Sequence, residues 1–340
     1  MKYYKLMWSI LFSLFVIFSS FISSSTGQPK PTSLNYSILW PSTHSQTVIA
    51  NEWAKEIEKR TNGGVKITLF PGGILTPPDK CYDGVVNGIS NIGAAALSYS
   101  RGRFPLMEAI DLPLGYKSGF VATRLINAFY KNFHPKELND VKVLYFHAIG
   151  PGILHTKKPV RTLEDLKGMK IRSTGLAAKV VLALGGTPVG MTQGDTYDAL
   201  SKGIVDGSMS NIGSLEAWKW GEVTKYTTEN FGSAYTTGFF VVMNKNTWNT
   251  LSPDIQKTIE RVSEEWIDKT GKLWDQYDQS GRNHILKLGN EIISLPKEED
   301  ERWVKRVRST LDDYLRETKT KALQGEEALK FCLDYLKKNQ

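Results

Sequence analysis

GMKIRSTGLAAKVVLALGGTPVGM, residues 168–191, contains the alternation of strand and helix that decides the fold. Residues 169–171 predict a short strand with Arg172 at its carboxyl end. The apolar run 176–184 predicts a buried helix, and Gly185-Gly186 ends it before a second extended segment begins. The stretch therefore predicts a strand, helix, strand unit of an open α/β sheet.

Arg172 occupies the position in this unit where ligands bind, because ligands of open α/β sheets lie outside the carboxyl ends of the strands. Its planar guanidinium suits a carboxylate, which it can hold with two parallel hydrogen bonds. From position alone, a surface arginine or a structural ion pair is an equally good interpretation. Ser173 and Thr174, which follow, are predicted to supply N-cap hydroxyls to the helix.

The composition indicates a soluble, mildly basic globular protein. A chain of 340 residues predicts two domains or one large domain, and 41% hydrophobic with 23% charged residues predicts a sizeable core. The net charge is +8, but acidic residues are interspersed and no Lys/Arg run exceeds two residues. This pattern suits anionic small molecules and excludes the continuous basic stripe of a nucleic-acid-binding protein.

Residues 1–26 have the features of a signal peptide. Lys2 and Lys5 precede the mostly apolar segment 6–22, and small residues follow where cleavage would occur. An uncleaved membrane anchor is the alternative, although the apolar run is shorter than the roughly 20 residues of a membrane span. We therefore expect a cleaved signal and a periplasmic protein.

A search for catalytic and metal-binding motifs finds none. The sequence contains no G-x-S-x-G, H-E-x-x-H, P-loop or paired C-x-x-C motif, so we expect no enzyme, metal or cofactor. The histidines are dispersed, and His44 is the candidate near a crevice because it follows the first strand. Cys81 and Cys332 are far apart in sequence, and whether they pair is open.

Aromatic residues recur where strands are predicted to end. Trp40 ends the first strand, Tyr99 follows the strand 92–97, and Tyr235 and Phe239 flank a later return to the first domain. Packing in the core is the default interpretation of each side chain. Their shared position at strand ends also matches the lining of a cleft between two domains. The main further elements are predicted at 34–40, 46–60, 65–70, 119–133, 141–147, 253–288 (a long helix) and 297–336 (a helical tail).

In several segments the chain resembles the extracytoplasmic solute-binding proteins of tripartite ATP-independent periplasmic (TRAP) transporters, of the dicarboxylate-binding DctP type. The similarity extends from about residue 34 to 290 and rests on the combination of segments. They are EWAKEIEKRTNGGVKITLFPGGIL from Glu52, YDGVVNGISNIG from Tyr82, RFPLMEAIDLPL from Arg103, KPVRTLEDLKGMKIRS from Lys158, LGGTPVGM from Leu184 and YDALSKGIVDG from Tyr197.

The resemblance implies an α/β, two-domain periplasmic-binding-protein-like fold with a cleft between the lobes and a long helix spanning both. Domain I would comprise 34–150 plus 238–278, and domain II 151–237 plus 279–340. Such a protein, expected to be a monomer, would close around an organic acid and deliver it to a membrane permease. Arg172 matches the family arginine that pairs with the ligand carboxylate.

The resemblance also implies a second contact after the Asp-Gly pair, at Ser210 or Asn211, because the asparagine comes one residue later than in the DGxxN form. Two departures bear on the ligand. The segment Ala94–Leu97 is apolar, and Pro151–Ile153 replaces a second arginine that some members carry. With the strand-end aromatics they favour a monocarboxylate with a hydrophobic or aromatic body. A ligand sensor on the same fold and an exported enzyme remain alternatives.

Overall fold

The computed structural model describes residues 31–340, so the predicted signal peptide, residues 1–26, lies outside the described residues. No helix among the residues it describes combines the length and apolar character that a membrane crossing requires. The strands are β1 Thr32–Ile38, β2 Val65–Phe70, β3 Ile92–Ala96, β4 Val141–Ala148, β5 Ile153–Thr156, β6 Lys170–Ser173, β7 Thr187–Gly190, β8 Gly207–Ser210, β9 Tyr226–Glu229, β10 Gly238–Asn244 and β11 Glu291–Ser294.

The α-helices pack mainly on the faces of two sheets. They are α1 Ser45–Arg60, α2 Cys81–Val86, α3 Gly119–Phe133, α4 Leu176–Leu184, α5 Gln193–Ser201, α6 Ser214–Ala217, α7 Trp220–Val223, α8 Lys245–Thr250, α9 Pro253–Lys287, α10 Lys297–Thr320 and α11 Gly325–Asn339.

The strands form two sheets, each the centre of one lobe. Lobe I contains a five-stranded sheet of order β2-β1-β3-β10-β4, and lobe II a six-stranded sheet of order β11-β9-β5-β8-β6-β7. Strands β1, β2 and β3 pair in parallel, whereas β10 runs antiparallel to β3 and β4. Strand β10 enters lobe I from lobe II and so runs in the opposite direction.

Two of the segments in which the chain crosses between the lobes are neighbours and hydrogen-bond to each other. Gly152 N donates to Tyr235 O (2.7 Å), and Ile149 N donates to Thr237 O (3.2 Å). A side chain at Gly152 has no room, since a Cβ there would lie 2.3 Å from Tyr235 Cε1. The crossing 148–153 is thus fixed against the crossing 234–238.

Helix α9 packs against α1, α3 and β4 of lobe I and against α6 of lobe II, so the long helix spans both lobes. Its apolar residues recur at helical spacing, and Trp266 and Trp274 are buried. Gly271 does not interrupt it. A Cβ at Gly271 would lie 3.0 Å from Phe120 Cα, so this glycine permits close packing on α3.

Two local predictions were wrong. Gly175, not Ser173 or Thr174, is the residue before α4, with φ +54° and no side-chain cap. The helical tail divides into α10 and α11 around Ala322, whose φ is +54°. The last helix, α11, packs on α3 in lobe I. The boundaries of domains I and II given above stay a prediction.

Candidate ligand-binding site between the lobes

Arg172 is the third residue of β6 and lies between neighbours on both sides, paired with Val189 of β7 and Ser208 of β8. Its side chain is buried, at 3% exposure. Arg172 Nε donates to Met191 O (3.1 Å), and the guanidinium carbon lies 5.6 Å from the centre of the Trp220 ring. No acidic side chain within residues 31–340 forms a salt bridge with it.

A buried cation without an acidic partner is unfavourable, because it has lost water and gained no counter-charge. The guanidinium has five N–H donors, and its one hydrogen bond within the described chain uses only Nε–H. The remaining N–H groups of Arg172 are therefore available to an anion. A carboxylate would supply both the opposite charge and a pair of acceptor oxygens.

Tyr235, in the crossing segment 234–238, lies near Arg172. Its ring fills the space in front of Gly152, and its hydroxyl donates to Met209 O (3.0 Å). Burial raises the pKa of Tyr235, and the positive charge of Arg172 opposes that shift in part. Tyr235 thus places an aromatic ring beside Gly152.

Lobe I contributes a cluster of buried rings at the ends of β1 and β4 and the start of β10. Trp40 lies 5.0 Å from Phe239 and 5.6 Å from His44, measured between ring centroids. His147 stacks on Phe239 at 5.1 Å with 9° between the ring planes. We call this set the aromatic cluster: Trp40, His44, His147, Phe239, Trp274 and Tyr277.

His44 is neutral and structurally committed. Its Nδ1 accepts from Gln46 N at the start of α1, so its proton is on Nε2, which donates to Tyr277 Oη (3.1 Å). Burial lowers the pKa of His44 to about 3. The ring also contacts Trp218 of lobe II, 5.9 Å away, so His44 joins the aromatic cluster to the opposite lobe.

Tyr99 lies at the opposite side of the seam between the lobes. Its hydroxyl accepts from Gln193 N at the start of α5 (3.2 Å). A cavity of about 540 Å³ adjoins this contact and is lined by Tyr99 and Arg101 of lobe I and by Met191 of lobe II. Arg172 does not line this cavity, but Met191, whose carbonyl accepts the hydrogen bond from Arg172, is one of the lining residues.

Ser210 and Asn211 already have partners in lobe II and α9. The Ser210 hydroxyl is 3.0 Å from that of Ser214, and its carbonyl accepts from His155 Nε2. Asn211 Nδ2 donates to Asp278 Oδ1, and Asn211 Oδ1 accepts from Ser214 Oγ (3.0 Å). These bonds hold the start of α6 against α9. A contact with a ligand would have to use the hydrogen-bonding capacity of Ser210 or Asn211 that these bonds do not occupy.

Among the residues predicted from the sequence, Trp40, His44 and Phe239 therefore come together in one cluster. Arg172 and Tyr235 lie near each other, whereas Tyr99 is at the seam. Sequence reasoning missed the parts that His147 and Trp274 play in the cluster. Pairing of β4 with β10 places His147 opposite Phe239, but that pairing could not be predicted from the sequence.

Two aspartates one turn apart on α9 connect the lobes. Asp275 accepts from Ser118 Oγ (2.9 Å) and Gly119 N (2.6 Å) at the start of α3. Asp278 accepts from Asn211 and from Gly213 N (3.0 Å) before α6, and burial raises its pKa to about 7. Asp111 is buried too, accepts from Gly238 N (2.9 Å), and has its pKa raised by burial to about 8.

These raised pKa values predict that the protein becomes less stable as pH rises above neutral. A carboxyl whose pKa is higher in the folded than in the unfolded state contributes stability at low pH and loses it as pH passes the folded pKa. Between pH 7 and 8.5 the losses at Asp111 and Asp278 exceed the remaining gain from His44, His147 and His155, whose pKa values are lowered to about 3–4. We expect the free energy of unfolding to fall by about 1 kcal/mol over this interval.

Urea unfolding at pH 7 and 8.5 measures this difference, and Asp111→Asn should remove most of it. An unfolding free energy that is equal or higher at pH 8.5 in the wild-type protein would contradict the assignment.

The described residues contain no group of side chains arranged as a metal site, and both Cys81 and Cys332 are free and buried.

Two lobes, a long helix across both and a buried arginine at a strand end define the class of two-lobed α/β solute-binding proteins. The family model for bacterial extracellular solute-binding protein, family 7 (DctP) matches residues 36–318, so the chain belongs to this family. The resemblance inferred from the sequence is confirmed, and the chain is a TRAP-type solute-binding protein.

Relatives of the chain are named for, or were solved with, different ligands. The C4-dicarboxylate-binding periplasmic protein of Vibrio cholerae is 24% identical, over 77% of this chain and 79% of its own length. A TRAP solute-binding protein from Rhodoferax ferrireducens, solved with copurified benzoate, is 26% identical with a TM-score of 0.86 and covers 90% of this chain and 98% of that one. A marine metagenome TRAP protein specific for aromatic acids, solved with 3-hydroxybenzoate, is 28% identical with a TM-score of 0.84, covering 91% and 98%.

Proposed function

We propose that this protein binds an aromatic or hydrophobic monocarboxylate in the periplasm and delivers it to the membrane permease of a TRAP transporter. The observation that carries the proposal is the environment of Arg172, a buried guanidinium that lies 5.6 Å from the centre of the Trp220 ring, is near enough to Tyr235 to influence its pKa, and has no acidic partner in the described chain. One cation can neutralise one carboxylate. The rest of the ligand would then meet aromatic rings such as those of Tyr235 and Phe239.

In this proposal Arg172 holds the carboxylate, and Tyr235 and Phe239 contact the ligand body. Trp40 and His44 complete the wall from lobe I, Tyr99 closes the seam, and Ser210 or Asn211 supplies the contact from the segment before α6. Tyr235 supports the aromatic preference, because its ring fills the space beside Gly152 that a longer polar side chain would need. The solved neighbours with benzoate and 3-hydroxybenzoate support the same ligand class.

Binding would work by a shift between open and closed forms. A ligand that contacts both lobes favours the closed form by its extra contacts there. Contacts such as Tyr99 with Gln193 and His44 with Trp218 already join the lobes, so a ligand would add to an existing interface. The protein would act as a monomer, exported through the signal peptide in residues 1–26, and would not transform its ligand.

A thermal-shift screen of the purified protein against benzoate, succinate and D-glucuronate tests the ligand class. A ligand at 100 times its Kd stabilises the folded state by about 2.7 kcal/mol, which for a chain of this size raises Tm by roughly 5 °C. We expect benzoate to give such a shift and the other two acids to give little. A shift with D-glucuronate or succinate alone would contradict the proposal.

A further inference from the structure

His147 carries an N–H group that indicates a role beyond packing. Its Nδ1 lies 3.0 Å from Trp274 Nε1, and an indole nitrogen only donates, so Nδ1 must accept. Burial, with a smaller effect of His44, lowers the pKa of His147 to about 3. The ring is therefore neutral, with its proton on Nε2, and Nε2–H has no hydrogen-bond partner among residues 31–340.

Trp40 carries a second N–H group that also lacks a hydrogen-bond partner within residues 31–340. Its Nε1 is buried and has no partner in the described part of the chain. The Trp40 and His147 rings lie 5.4 Å apart, and both contact Phe239. Buried donors such as Trp40 Nε1–H are almost always hydrogen-bonded in native proteins, so its lack of a partner, next to the unused Nε2–H of His147, requires an explanation.

We propose that His147 Nε2–H and Trp40 Nε1–H form a polar subsite that binds an uncharged oxygen on the ring of the ligand, such as a phenolic hydroxyl. This inference rests on the proposed function and specifies its ligand as a hydroxylated aromatic acid. Two neutral donors suit a neutral acceptor. A second carboxylate at this place would be buried beside rings, without a cation from the aromatic cluster to neutralise it.

Calorimetric titration with benzoate and with 2-, 3- and 4-hydroxybenzoate tests the subsite through the ratio of Kd values. We expect the wild-type protein to bind at least one hydroxybenzoate roughly 2- to 10-fold more tightly than benzoate, the usual range for one added hydrogen bond. His147→Asn keeps an acceptor for Trp274 but removes the donor at Nε2, so the ratio should fall towards 1. His147→Gln places an amide N–H near the Nε2 position and should restore part of the ratio.

Trp40→Phe keeps an aromatic ring without the N–H and gives a second, independent reduction of the ratio. Trp303→Phe, which removes an indole that donates to Glu299 on α10, is the control and should leave the ratio unchanged. The inference is overturned if benzoate binds more tightly than all three isomers, or if the ratio survives both His147→Asn and Trp40→Phe. Failure of the wild-type protein to bind any of the four acids would instead refute the proposed function.

Discussion

Arg172→Met is expected to weaken benzoate binding by roughly 100- to 4,000-fold. Removing one partner of a buried ion pair costs about 3–5 kcal/mol, because the other charge is left buried without compensation, and each 1.4 kcal/mol is a factor of ten in Kd. Arg172→Lys retains the charge but loses the planar pair of donors, so we expect an intermediate loss of roughly 10- to 100-fold. Isothermal titration calorimetry with benzoate measures both variants.

The ligand-free Arg172→Met protein should be at least as stable as the wild-type protein. In the described structure Arg172 gives up hydration without forming a salt bridge, so its replacement by an apolar side chain removes a cost and no ion pair. Arg161→Met is a suitable control, because Arg161 is a more exposed arginine of lobe II that pairs with Glu291. Equal benzoate affinity in wild-type and Arg172→Met proteins would reject Arg172 as the anchor.

Gly281→Leu is expected to destabilise the protein by about 3 kcal/mol, the upper part of the usual range for overpacking. A Cβ at Gly281 would lie 2.5 Å from both Gly213 Cα and Ile212 O, and these are backbone atoms that cannot rotate away. Helix α9 would have to move away from the segment before α6. Asp278 holds that segment by accepting a hydrogen bond from Gly213 N.

Thermal unfolding followed by circular dichroism measures this effect, and a fall in Tm of roughly 6 °C is expected. Ser280→Leu is the matched control, because Ser280 is the preceding residue of the same helix and is exposed. A Gly281→Leu protein that unfolds at the same temperature as Ser280→Leu would show that α9 does not pack closely on lobe II.

Local sequence was sufficient where the determining contacts are local. The apolar run before Gly185 predicted α4 correctly, and the helical spacing of Ile259, Trp266 and Trp274 predicted α9. Gly175 was missed as the residue before α4, because its conformation is tied to Ser98 of the other lobe. A Cβ at Gly175 would lie 2.6 Å from Ser98 Cβ.

The site could be predicted only in part for the same physical reason. Arg172 was identifiable because its position at a strand end follows from the local pattern. The placement of Tyr235 beside Gly152 depends on two chain crossings that are distant in sequence. The proton of His147 is assigned by Trp274, which reaches it from α9, so no local feature of β4 indicated a free donor.

Native mass spectrometry of the purified protein in an equimolar mixture of benzoate, succinate and D-glucuronate tests the central claim most directly. One buried guanidinium among rings should select the aromatic monocarboxylate. The account predicts a 1:1 complex with benzoate as the dominant species in the wild-type protein and its loss in Arg172→Met. A dominant complex with succinate or D-glucuronate, or a benzoate complex that persists without Arg172, would contradict it.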